Sequence, residues 1–324
     1  MADAKRLEYE LRLRDLATKT LQKFGRGVKT ETTKAQAAFQ KLNKSIKGVG
    51  LAMKLAFAGA VFMGMRSGMR RAMEFSKAMG EVRTIMDESS MSFQEANENV
   101  KALALELGAP APEVAAALYQ TLSAGVTDSA QAMIMLRQAT ELGIAGVATT
   151  KESVDLLTTV FNAYGMTVTE QGVEKTSDMI FKMVQLGKNT IPELSSAMGQ
   201  LLPQAAQLGV PFEEAAAAVS TLTLSGLSVN EAVTQVSAVL TAFLKKAETA
   251  AKELPHLSGV MGATAIKSKG FTQAIKDLAD ATGGSEDMLV KLMGRVEGAK
   301  AVMALTGIQS EKFASQIKDI GGAS

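Results

Sequence analysis

The chain has 324 residues, enough for two or three domains, and its 47% apolar content excludes disorder throughout. It has no Cys and one His, which excludes disulfides, thiolate metal centres and cysteine nucleophiles. Aromatics are only 5% with no Trp, while 19 Met and abundant Ala favour helices that pack closely and adapt to one another. The net charge of +2 conceals a split. Residues 1–77 carry 17 Lys/Arg against 6 Asp/Glu, and residues 78–324 carry 18 against 27. A basic arm on an acidic body follows. Such an arm suits nucleic acid, anionic lipid or an acidic partner surface, or is simply a solvated helix; it lacks the interleaved aromatics that stack on single-stranded bases.

The N-terminus "MADAKRLEYELRLRD" has no apolar stretch and does not read as a secretory signal. Residues 6–14 alternate, with Leu7, Tyr9, Leu11 and Leu13 on one side, the period of a half-buried strand. Asp15 fits a helix N-cap, and Gly25-Arg26-Gly27 stops that short helix. From Thr32 the spacing turns to alternating threes and fours. Ala35, Phe39, Leu42, Ile46, Val49, Met53, Ala56, Ala60 and Met63 form a heptad seam that predicts self-association through residues 32–63, against the simpler reading of one amphipathic helix on its own domain. The seam runs into residues 51–65, apolar all round except Lys54. Fifteen helical residues reach about 22 Å, short of a hydrocarbon core of about 30 Å, so a helix buried in an oligomer, or one that meets a membrane only transiently, fits better than a settled span.

Beyond residue 80 the punctuation predicts short helices. Capping boxes stand at Ser92–Glu95, Thr149–Glu152, Thr190–Glu193 and Ser228–Glu231. Pro112, Pro192 and Pro211 suit first turns. Stops are expected at Gly108, Gly143, Gly165, Gly187 and Gly209. The Leu-Gly pairs at 107, 142, 186 and 208 are spaced too unevenly for a solenoid of fixed period. Further helices are expected at 271–282, 286–305 and 310–320. The fold class is therefore all-α: a compact multi-helix core of helical hairpins, preceded by a long N-terminal helical arm with one short β-strand. The domains are an arm at 1–77 (strand 6–14, heptad helix about 30–65), a core at 78–254, and a C-terminal helical segment at 255–324.

No constellation for chemistry is visible. His256, beside Pro255, is the sole imidazole, which leaves neither a triad nor a zinc site. "GKNT" at 187–190 lacks the glycine five residues before Lys188 that a phosphate loop needs. A pair of carboxylates could still hydrolyse glycosides, but most carboxylates here sit at helix starts, where capping explains them. No catalytic, cofactor or metal residue is assigned.

Four stretches carry a family resemblance: "SKAMGEVRTIMDESS" (76–90), "ALALELGAPAPEVAAALYQTLSAGV" (102–126), "ATELGIAGVATTKESVDLLTTVFNAYGM" (139–166) and residues 181–235 from "FKMVQLGKNTIPEL" to "SVNEAVTQ". In order and spacing, over roughly residues 70–250, they resemble the core region of tail tape measure proteins of tailed bacteriophages and prophages. The resemblance implies a non-enzymatic structural and assembly protein of the virion tail, present in the host cytoplasm during assembly. Such a protein lies in the tail tube, helps set tail length and leaves ahead of the DNA. Implied partners are further copies of itself, the tail tube protein, tail assembly chaperones, and distal tail or baseplate hub proteins; DNA contact stays open. Two alternatives are a tail-borne peptidoglycan hydrolase and a membrane-channel-forming ejection protein. A fully helical chain of this length would span about 490 Å, yet residues 80–250 read as folded, so an N-terminal portion of a longer protein is expected.

Overall fold

Apolar stripes on consecutive helices that are too short to stand alone must be buried against one another. A computed structural model of the chain describes residues 51–245 and 259–323, and every regular element among them is a helix. The all-α class therefore holds. The expected strand at 6–14, the Asp15 cap, the seam from Thr32 to Val49, His256 and the boundary at 254/255 lie outside the described residues.

The chain divides into two units, Met1–Met69 and Arg70–Ser324. In the first, the described residues belong to helix α1 (Leu51–Ile85), which covers the apolar stretch 51–65. Among the described residues no helix is long and apolar enough to cross a membrane.

The second unit continues through α2 (Phe93–Leu107), α3 (Ala111–Ser123), α4 (Ser129–Ala145), α5 (Thr150–Tyr164), α6 (Glu170–Leu186), α7 (Ile191–Leu208), α8 (Phe212–Leu224) and α9 (Val229–Lys245). These pack as two rows: α3, α5, α7 and α9 side by side in one, α2, α4, α6 and α8 in the other. Loops alternate between the two ends of the stack. At one end Asn162 Nδ2 donates to Ala124 O at 2.9 Å, and the Tyr164 hydroxyl donates to Val210 O at 2.9 Å. At the other, Gly146 lies against Ile191, and Lys188 N donates to Thr223 Oγ1 at 3.2 Å.

The starts of the first row recur almost evenly. N-caps fall at Pro110, Thr149, Thr190 and Ser228, steps of 39, 41 and 38 residues. The stack is thus a short solenoid of helical hairpins with a period of about 40 residues. The spacing of Leu-Gly pairs concealed this because those pairs come from both rows.

The C-terminal helices α10 (Ala263–Lys269), α11 (Phe271–Ala281), α12 (Glu286–Met293), α13 (Val296–Thr306) and α14 (Ser310–Gly321) close the stack. Helix α13 lies beside α9 and α14 beside α8, and the buried apolar residues form one cluster from Phe75 to Ile320. Two polar anchors hold this part. Glu214 of α8 accepts from Thr272 N and Thr272 Oγ1, both at 3.0 Å, and so caps α11 from 58 positions away. Gln316 of α14, fully buried, accepts from Thr221 Oγ1 at 2.7 Å and donates to Leu186 O at 2.8 Å.

Local chemistry explains most helix ends. Thr149, Thr190 and Ser228 each form a reciprocal box: the backbone N–H of each donates to Glu152, Glu193 or Glu231 at 2.8, 3.1 and 2.9 Å. Ser92 Oγ accepts from Glu95 N at 3.2 Å. Helices end before Gly108, Gly165, Gly187 and Gly209 as expected.

Three expectations are corrected. Helix α4 does not stop at Gly143 but runs to Ala145; Gly143 is there because a Cβ would press on Ala148 O at 3.1 Å and Ser153 Oγ at 3.2 Å. The helix expected at 286–305 is two, broken where Gly294 takes φ 72°, and α13 turns back so tightly that a Cβ on Gly298 would meet Met293 at 3.2 Å. Pro211 is itself the N-cap of α8, while Pro203, unremarked in the sequence, sits inside α7 on an exposed face.

Replacing Thr149 with Ala removes the hydroxyl that accepts from Glu152 N at 3.2 Å and leaves the backbone half of the box in place. Urea unfolding should show a loss of about 1 kcal/mol with an unchanged slope.

Candidate functional site

Among the described residues no group of three or more His, Cys, Asp or Glu could hold a metal ion. Lys188 is exposed in the α6–α7 turn and Asn189 is buried beside it, so "GKNT" is a helix connection here. What the fold does build is a groove along α5 and α7. One stretch, of about 590 Å³, is lined by Glu152, Asp155, Thr158, Thr159 and Asn162 of α5 and by Pro192, Ser195 and Ser196 of α7. A second, of about 820 Å³, shares Thr159 and Asn162 and continues along Ala163, Tyr164, Pro203, Ala206 and Gln207. Spacings of three and four residues put each set on one helix face.

Why these residues line a groove follows from the row geometry. Each first-row helix spends its apolar stripe on both neighbours and on the second row. In α5, Val154, Leu156, Leu157, Val160 and Phe161 are buried; in α7, Leu194, Ala197, Met198, Leu201 and Leu202 are. The face left over is small and polar. After its first turns each first-row hairpin helix is free of charge, save for the final Lys245 of α9: residues 114–127, 156–169, 194–212 and 232–244 contain no Asp, Glu, Lys or Arg. That recurring charge-free run is the signal by which the sequence alone could have located the surface. A solvated helix face ordinarily carries charge, so this one is suited to contact.

Two carboxylates remain in the groove, and their environments oppose. The Glu152 carboxyl is held below its usual range because it accepts from the Thr149 backbone N–H and hydroxyl. Its oxygen is committed to the cap. Asp155, one turn on, is pushed upward chiefly by burial. At the far end Tyr164 is raised too, by burial and then by Glu213 and Glu214, and its ring stands edge-on to Phe212 at 6.4 Å. The groove is thus lined by hydroxyls, amides and a ring edge. A different cleft, of about 440 Å³ between α6 and α14, carries mixed charge from Asp178, Lys182, Lys318 and Asp319.

A repeat-built helical stack with a sparsely charged first-row face has the architecture of a packing protein. The chain belongs to the family described as phage-related minor tail protein, whose profile matches residues 97–322. It is also similar to a protein named "Probable tape measure protein" from Clostridium phage phiCD119, with 26% identity over 336 aligned residues. That alignment covers 98% of this chain and 35% of the relative, so the chain spans about a third of the relative's length. No solved structure matches. The family and the relative bear out the resemblance to tape measure proteins of the phage tail.

The opposed shifts give a pH test. Burial favours protonated Asp155 in the fold, so its charge costs stability above the raised value, and that cost is relieved as pH falls through it. Glu152 contributes the reverse: stability present above its ordinary value of 4.5 and lost as pH falls through its lowered one. Asp155→Asn should therefore raise the melting temperature at pH 7, with the gain shrinking toward the ordinary aspartate value of 3.8. Glu152→Gln should lower it at pH 7. Calorimetry across pH 3–7 (roughly the carboxylate range and above) reads both.

Proposed function

We propose that this chain is part of a tape measure protein. It would be a non-enzymatic structural component that sits in the tail tube, helps set tail length during assembly in the host cytoplasm, and is released ahead of the DNA. The observation that carries this reading is the alignment of 98% of the chain with the phage phiCD119 protein. Membership of a tail protein family and a helical stack built for contact support it.

Within that role the parts divide by their chemistry. The basic arm, residues 1–77, gathers copies through the seam at 32–63 and meets a membrane transiently through 51–65. The acidic core at 78–254 and the segment at 255–324 present surfaces to the tail tube protein, the assembly chaperones and the distal tail or baseplate hub. Charge-free runs on four successive first-row helices suit such partners, because a neutral face can be buried without stranding charge.

Tail length tests the reading. In the phage gene, deleting or duplicating stretches of helix outside the folded stack should shorten or lengthen tails by about 1.5 Å per residue. Electron micrographs showing unchanged tails would remove the ruler role. Clearing of purified peptidoglycan by this chain would turn the reading toward a hydrolase instead.

A further inference from the structure

Helix α1 is held unlike the rest. Every other described helix has a neighbour lying close alongside it, and none runs beside α1 at that range. Its grip on the stack is one face, where Phe75, Ala78, Met79 and Val82 are buried. Two cation–π contacts clasp that face to α2. Arg83 Cζ lies 5.1 Å from the centre of the Phe93 ring, and Lys101 Nζ lies 5.3 Å from that of Phe75. Arg70 pairs with Glu74 at 2.8 Å and Lys77 with Glu81 at 4.0 Å, so these charges are satisfied within the helix itself. The family profile begins at residue 97, beyond α1.

The spacing of that face gives it a second use. From Met65 through Gly68, Ala72, Phe75 and Met79 to Val82 the steps are 3, 4, 3, 4 and 3 residues. Carried back to Leu51, the same steps meet one charge, Lys54. This is the heptad repeat by which like helices pack together. Arg70, Glu74, Lys77 and Glu81 fall at its outer positions, where a coiled coil keeps its charge. A face that served only the stack would need no repeat upstream of Arg70, yet the repeat continues through residues 51–65 of the same helix. A helix apolar all round requires burial, and one partner can bury both halves.

We propose that α1 exchanges partners: its Phe75–Met79–Val82 face docks on its own stack in the single chain, and on the same face of α1 from further copies once copies gather. The inference rests on the reading that residues 32–63 gather copies, which sets the α1 helices parallel and in register. A second copy is favoured as occupant because the repeat matches itself along the whole helix, while the stack offers α1 no helix alongside. Gathering raises the local concentration of α1. Apolar contact given up on the stack is regained along the seam, so a small bias decides between the two packings.

The chain contains no cysteine, so Val82→Cys in the full chain reports the exchange cleanly. In the docked helix position 82 is buried and cannot meet its counterpart; in the exchanged one, two copies bring their cysteines together. On oxidation, Val82→Cys chains should link to one another about tenfold faster than Lys77→Cys chains, whose cysteine is exposed at an outer position. A second variant loosens the docking without touching the seam. Lys101→Ala with Phe93→Leu removes both clasps from the α2 side, and added to Val82→Cys it should speed linkage about tenfold more. Equal rates at positions 82 and 77, or a rate that the α2 changes leave unmoved, would overturn the proposal. Sedimentation of the parent chain reads the arm separately. An oligomer that does not link at position 82 removes the exchange and keeps the arm; a monomer removes both.

Discussion

The end of α6 is the constraint on which the stack depends. This helix stops beside α8 and α14, and side chains of the turn and of α14 reach back to its last carbonyls. Asn189 Nδ2 donates to Met183 O at 3.1 Å and to Ser220 Oγ at 3.0 Å, and Gln316 Nε2 donates to Leu186 O at 2.8 Å. Met183 O also accepts from Gly187 N at 3.1 Å, so the burden falls on Leu186 O, whose loss of Gln316 would cost about 1–3 kcal/mol if no other donor replaced it. The geometry leaves no slack: a Cβ on Gly187 would come within 2.3 Å of Asn189 Nδ2 and 3.0 Å of Thr223 Oγ1. The end of α6 is therefore tied by side chains to both α8 and α14. The C-terminal hairpin is a working part of the core.

From that constraint the character of the surface follows. Rows of helices closed at one end by α13 and α14 bury apolar side chains on both flanks and beneath, and leave one face outward. On the first row that face is neutral; on the second it carries pairs such as Arg137 with Glu106 at 2.8 Å. The pair holds Glu106 below its usual range, but both partners are about half exposed, and it contributes little to stability. The division is compatible with a structural protein of the phage tail.

How much of this could be read from the sequence depended on range. Thr149, Thr190 and Ser228 announced their helices because a hydroxyl and a Glu three residues on complete their chemistry locally. Gly108, Gly165 and Gly209 likewise marked stops. Gly143 misled because close packing, and not chain reversal, put a glycine there. Gly294 was missed inside an apolar run that reads as one helix. The hairpin period lay in the caps, yet was sought in the stops. Gln316 gave no sign at all, since its partner Leu186 is 130 residues away. The groove was legible only as missing charge.

Hydrogen exchange on a Gln316→Leu chain, read residue by residue under native conditions, tests the dependence most directly. If the end of α6 joins the C-terminal hairpin to the stack, protection should fall together in the last turn of α6, in α8 and in α14, while α3 to α5 keep theirs. Loss confined to α14, or spread evenly over every helix, would contradict the account.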